Sequence, residues 1–209
     1  MTDDRAVWDE AYQRRRNIYG GVAQGIPPMP PGAKVLELGC GNGKNTGMLL
    51  RQGYEVVALD FSRAAIIAAR AGLPDHGMGH AVLADARTLP LQPQSCDAVT
   101  ARHIIGHMTR AGRVAIAAEI FRVLRGGGTL YFTAFSREDF RYGQGQCMEE
   151  DTFLRGDGIS THYFSDDEVQ KLFSPLTCQS LTSRKWDLRV LGKTYGRAEI
   201  HAVFCRPVP

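Results

Sequence analysis

The 209-residue sequence predicts an α/β fold: a mostly parallel sheet flanked by helices, extended at its C-terminal end by an antiparallel strand pair. Three observations predict it. Short, nearly continuous apolar runs alternate with helical patterns through residues 33–135, as parallel strands buried on both faces require. One such run ends in "VLELGCGNGKNTG", a glycine-rich turn leading into a helical stretch. Near the C-terminus, Ala198, Ile200, Ala202 and Phe204 alternate with Glu199, His201, Val203 and Cys205, the period of two of a half-buried strand.

The elements follow in order. Residues 1–24 read as an amphipathic helical arm carrying Trp8, Tyr12 and Tyr19. The prolines of "GIPPMPPG" then exclude helix and deliver an extended approach to the first strand. Strands are expected at Lys34–Leu38, Glu55–Leu59, Ala81–Ala84, Asp97–Ala101 and Thr129–Phe135. The clearest helix is "GRVAIAAEIFRVLRGGG", with Ala117, Ile120, Phe121 and Leu124 on one face, Arg122 and Arg125 in the last turn, and Gly126 as its stop. Strands alternating with helices make right-handed βαβ units and hence an open parallel sheet. Residues 136–162 are polar and glycine-rich and read as a long irregular loop. "HYFSDDEVQKLF" then reads as a strand end, a cap at Ser165 and a helix. A β-like segment at Thr177–Arg189 and a turn at Leu191–Gly196 complete the antiparallel pair.

Composition bounds the function. A 44% hydrophobic and 22% charged chain is ordinary for a soluble globular domain. The net charge of +3 lacks the basic excess of a dedicated nucleic-acid binder, and Arg14-Arg15-Arg16 reads as a solvated helix face. Five scattered cysteines without a C-x-x-C pair argue for reduced thiols and against a zinc site. The acidic start is not that of a signal peptide, and no apolar run approaches the ~18 residues of a membrane span. A single cytoplasmic domain with no membrane partner is expected.

Backbone N–H groups at a helix N-terminus are unpaired, and glycine lets a ligand lie against the turn before it. The dinucleotide pattern G-x-G-x-x-G would need glycine at position 44, which is Lys44. The spacing is instead Gly39-x-Gly41-x-Gly43, with Glu37 two residues ahead. A carboxylate there repels a pyrophosphate and attracts a ligand carrying an ammonium and a sulfonium. With "VVALDFS", "LADARTLP", "CDAVTARHIIGHM" and "EIFRVLRGGGTLYF" following in order, the chain resembles the class I S-adenosylmethionine-dependent methyltransferases over residues 33–135.

That resemblance implies a Rossmann-like fold and S-adenosyl-L-methionine as cofactor, with S-adenosyl-L-homocysteine as product. Residues 1–32 would be the arm and linker, 33–135 the cofactor-binding core, 136–164 a substrate lid, and 165–209 the C-terminal helix and strands. Gly39, Cys40, Gly41 and Gly43 would form the turn under the cofactor, with Glu37 orienting its methionine portion. Asp60, 21 residues after Gly39, would accept from the ribose hydroxyls. Its other reading is a helix N-cap, a job for which Ser62 is better placed. Phe61 would pack on the adenine, Asp85 and Ala86 would meet the adenine edge, and Arg102 would lie at the open end of the fourth strand. His103 and His107, one turn apart if helical, are candidate bases, or else packed histidines; a metal pair has no partner ligand in view. Tyr19, Tyr142, His162 and Tyr163 are candidate acceptor contacts. "ARHI" stands where enzymes methylating exocyclic or amide nitrogens carry an [N/D]-P-P-Y motif, which argues against those acceptors. A small-molecule acceptor is expected; a tRNA or protein acceptor, with a small activating partner, is the alternative.

Overall fold

The computed structural model describes residues 4–14, 23, 25–73 and 77–208. Helix α1 (Asp4–Arg14) is the described part of the arm; the expected continuation to residue 24, with Tyr19, lies outside the described residues. The core then runs β1 (Lys34–Leu38), α2 (Lys44–Arg51), β2 (Glu55–Asp60), α3 (Arg63–Arg70), β3 (Gly79–Leu83), β4 (Cys96–Arg102), a 3-10 turn (Ile105–His107), α4 (Arg110–Val123) and β5 (Leu124–Phe135). Each expected apolar run overlaps one of these strands.

The five strands pair in parallel in the order β3-β2-β1-β4-β5. Two long strands, β9 (Thr177–Val190) and β10 (Lys193–Cys205), complete a seven-stranded sheet, with β10 antiparallel to both β5 and β9. Alternation along the strands sorts the core into two layers. Leu36, Val99, Leu130 and Phe132 meet Ile116 and Ile120 of α4 on one face, while Val35, Val56 and Ala98 meet Leu49 and Tyr54 on the other. Fully burying such a side chain is worth about 1.5–3 kcal/mol. Ala198, Ile200, Ala202 and Phe204 are buried as the period of two requires, but so is Glu199, on the opposite face.

Two expectations are corrected. Helix α4 stops at Val123 rather than at Gly126: Leu124 turns extended (φ −65°, ψ 134°) and its fully buried side chain already belongs to the sheet. Arg125 therefore lies beyond the last turn and pairs with Asp97. The second concerns residues 136–162, which are not irregular. Here β6 (Gln146–Glu149), β7 (Thr152–Leu154) and β8 (Ser160–His162) form a separate antiparallel sheet, anchored by buried Thr152, Thr161, His162, Tyr163 and Phe164. Strands of three or four residues are too short to display a period, so composition alone read as loop. Helix α5 (Asp166–Leu172) follows, capped as expected: Ser165 Oγ accepts from Glu168 N–H at 3.3 Å. No described helix is long and apolar enough to cross a membrane.

Candidate active site

The glycine turn joins β1 to α2. Gly39, Gly41 and Gly43 all have positive φ (65°, 54° and 80°), which L side chains adopt only at a cost. The protein itself also crowds them. A Cβ at Gly41 would stand 2.6 Å from the Tyr12 hydroxyl of α1, and one at Gly39 2.9 Å from Ile104 Cβ. Asp60, at the end of β2, braces the turn. Its Oδ2 accepts from Gly41 N–H at 3.0 Å and its Oδ1 from Ser62 N–H at 2.9 Å. Capping of α3 falls to Ser62, whose Oγ accepts from Ala65 N–H at 3.1 Å.

Beside the turn, at the carboxyl ends of β1, β2 and β4, lies a cleft enclosing roughly 610 Å³ with its mouth included. Gly39, Asp60, Phe61, Asp85, Ala86, Arg102, His103 and His107 line it. Trp8 and Tyr12 of α1 form a further wall, and Ile104 and Met108 add apolar surface. Helix α1 is seated by Asp9, whose Oδ1 accepts from Ser62 Oγ at 2.6 Å and from Ala64 N–H at 3.1 Å. The sequence marked Trp8 and Tyr12 only as arm aromatics; their helical spacing was the available signal.

Cys40, Gly41 and Gly43 belong to the turn but not to the cleft lining, and Glu37 lies in β1 away from the lining. The Cys40 thiol is buried and its ionisation strongly suppressed by that burial. Tyr142, His162 and Tyr163 do not line the cleft either. His162 is buried between Thr152 (Nδ1 to Oγ1, 2.8 Å) and Glu168 (Nε2 to Oε1, 2.8 Å). The Tyr142 hydroxyl donates to Asp151 at 2.7 Å, and its ring packs edge-on against Phe153 and Tyr163.

The charges of the site are set by burial and by specific partners. Glu37 accepts from Thr46 Oγ1 at 2.5 Å, yet burial pushes its carboxyl up to about 7, with the Arg102 charge opposing. Burial likewise raises Asp60. Asp85 is held below the usual carboxylate range by Arg87, which donates to both of its oxygens at 2.6–3.0 Å. Arg102 donates through Nη2 to the Gly25 carbonyl at 2.8 Å.

The two histidines are not stacked on one helix. His103 follows β4 with φ +54°, packs its ring on Phe135 at 4.3 Å, and places Nε2 3.3 Å from Glu199. Glu199 also takes His201 Nε2 at 2.6 Å and is held down to about 2 chiefly by these histidine partners, against its burial. This pairing explains its burial against the period of two. His107 sits in the 3-10 turn with Nδ1 2.8 Å from the Ser160 carbonyl and its ring edge-on to Trp8. A carbonyl only accepts, so Nδ1 carries the proton and Nε2 is the acceptor nitrogen of the neutral ring. Burial lowers this histidine to about 4, so it is neutral at pH 7.

Residues 36–132 match a family model described as "Methyltransferase domain". The tRNA N(3)-cytidine methyltransferase METTL2 of Danio rerio is 26% identical over 168 residues, covering 72% of this chain and 47% of that protein. A probable S-adenosylmethionine-dependent methyltransferase of Mycolicibacterium smegmatis is 33% identical over 147 residues, covering 69% and 54%. The chain thus spans about half the length of these curated relatives. Among solved structures, an S-adenosylmethionine-dependent methyltransferase from Methanosarcina mazei superposes with a TM-score of 0.76 at 22% identity, over 87% of this chain and 96% of that one. Taken with the strand order and the glycine turn braced by Asp60, the match places residues 36–132 of this chain in the family of class I S-adenosylmethionine-dependent methyltransferases.

Proposed function

We propose that the chain is a methyltransferase that uses S-adenosylmethionine and methylates a small-molecule acceptor by in-line displacement. The side chains present suit that cofactor. Asp60 offers a fixed carboxylate to ribose hydroxyls, and Phe61, Ala86 and Met108 offer apolar faces to a flat heterocycle; Glu37, buried in β1 behind the turn, would ionise to meet an ammonium drawn toward it. When bound, the cofactor supplies an activated methyl group on a cationic sulfur.

The residues of this chain supply position and dryness. Trp8 and Tyr12 wall the cleft from water, while His103 and His107 flank the carboxyl end of β4 where an acceptor would approach. A histidine lowered to about 4 is a weak base at neutral pH. His107 Nε2 therefore serves better as a hydrogen-bond acceptor that orients the incoming group, with alignment and exclusion of water carrying most of the acceleration. The observation that carries the small-molecule reading is the wall made by α1, which seats its own aromatics against the glycine turn and His107.

Incubation with methyl-labelled cofactor and fractionated cell extract tests the proposal. Label in the small-molecule fraction supports it, and label only in RNA or protein refutes it. A tRNA acceptor is the second reading, favoured by the METTL2 relative, a tRNA methyltransferase. It would show as tRNA affinity falling steeply with salt.

A further inference from the structure

Behind the histidine wall of the cleft, two buried donors have no hydrogen-bond partner among the described residues: Arg141 Nη2 and Tyr163 Oη. Tyr163 is fully buried, and leaving such groups unpaired is costly in a folded protein. Both gather around Phe135, the residue on which cleft-lining His103 stacks. The Arg141 guanidinium lies 4.0 Å from the Phe135 ring centre, and the Tyr163 ring centre is 6.5 Å from it.

The surroundings carry an excess of positive charge. Asp139, its side chain fully buried, accepts from Arg141 Nε and from Arg197 Nε, each at 2.7 Å, so one carboxylate faces two guanidinium groups. Arg197 also lies over Phe135, at 4.9 Å. Of the charges acting on the Tyr163 phenol, Arg141 has the largest effect, and His107 across the wall also senses Arg141. The other acids nearby are committed: Glu199 to His103 and His201, and Asp151 to Arg137 and Tyr142.

We infer that Arg141 Nη2 and Tyr163 Oη form an anchoring site for a carboxylate carried by the methyl acceptor, reached from the cleft past His103. The inference rests on the methyltransferase reading above and adds the chemistry of its acceptor. A single oxyanion placed between the two donors would satisfy both and balance the second guanidinium, which a water molecule would not. A polynucleotide phosphate fits poorly, because neither donor atom is exposed to the surface a polymer would approach. A small carboxylate would reach the donors by displacing the His103 ring that stacks on Phe135 at 4.3 Å.

The test loads the protein with S-adenosylhomocysteine and titrates it calorimetrically with benzoate and with its neutral counterpart benzamide. Benzoate is expected to bind at least about tenfold more tightly than benzamide. Tyr163→Phe, which removes only the orphaned hydroxyl, should weaken benzoate roughly tenfold. It should leave S-adenosylhomocysteine affinity unchanged and the melting temperature unchanged or higher. Arg141→Met should abolish the preference for benzoate. Equal binding of the two probes, no benzoate binding, or no effect of Tyr163→Phe would overturn the inference and leave the donors to buried water. Loss of tRNA binding in Tyr163→Phe without carboxylate binding would also overturn it, in favour of an RNA contact. Failure of the wild-type protein to bind S-adenosylhomocysteine would instead refute the methyltransferase reading itself.

Discussion

Glu37 should couple cofactor binding to pH. Its carboxyl is pushed from 4.5 to about 7 by burial, with Thr46 donating to it, Arg102 opposing the shift and Asp60 reinforcing it. Below pH 4.5 both the folded and the unfolded chain hold this proton, so the group costs nothing. Between 4.5 and 7 the unfolded chain ionises while the folded chain keeps its proton, so stability falls as pH rises. The loss is complete above 7 and amounts to about 3 kcal/mol at roughly 1.4 kcal/mol per pH unit. A cationic ligand favours the ionised form. Binding below pH 7 should therefore release a proton, and affinity should rise up to about tenfold per pH unit before levelling above 7.

The assay is calorimetric titration with S-adenosylhomocysteine from about pH 5.5 to 8.5 in buffers of different ionisation enthalpy, which counts the protons released. Glu37→Gln keeps the Thr46 contact but removes the charge. It should bind more weakly, lose most of the pH slope, and gain stability at pH 8 in denaturant unfolding. A wild-type affinity that is flat with pH, or a Glu37→Gln slope equal to that of wild type, would refute the coupling.

Other substitutions probe the same site. Asp60→Ala should lower S-adenosylhomocysteine affinity by about 2 kcal/mol and also reduce stability by about 1–3 kcal/mol, because Gly41 and Ser62 N–H lose their acceptor; calorimetry and denaturant unfolding separate the two effects. Trp8→Ala opens the wall over His107 and should move its titration from about 4 toward 6.5, read by NMR of the imidazole protons. Gly41→Val places a side chain on the Tyr12 hydroxyl at a positive φ; it should dislodge α1, seen as faster proteolysis of the arm, and abolish cofactor binding together.

The parallel core was legible because each of its strands is a compact apolar run, and burial on both faces leaves no other reading for "KVLEL" or "VVALD". The glycine spacing, with Asp60 at the end of β2, brought the cleft within reach for the same reason. What stayed hidden depends on distant partners. Glu199 looks solvent-facing in an alternating strand, and its pairing with His201 and with His103, brought to it by the chain after β4, accounts for its burial. His103 and His107 looked like one helical face, but a left-handed residue and a 3-10 turn send them to Phe135 and Trp8. Residues 136–162 looked like an irregular loop, and aromatic packing around Tyr163 accompanies a small sheet of their own.

The hairpin of β9 and β10 has a material consequence. Strand β9 is the outermost of its sheet and almost wholly exposed along its 14 residues, a length well suited to recruiting another chain's backbone. Its arginines, Arg184 and Arg189, stand as guards along that edge, Lys185 being paired with Glu138, and Arg184 and Arg197 sit over the ring of Trp186. Like-charged edges repel when two copies approach. That protection is electrostatic, so it fades as the Debye length contracts from about 10 Å at 0.1 M salt to about 3 Å at 1 M. Concentrated protein in high salt is where edge-to-edge association of this chain would begin, with the apolar hairpin tip of Leu188, Val190 and Leu191 as its first point of contact.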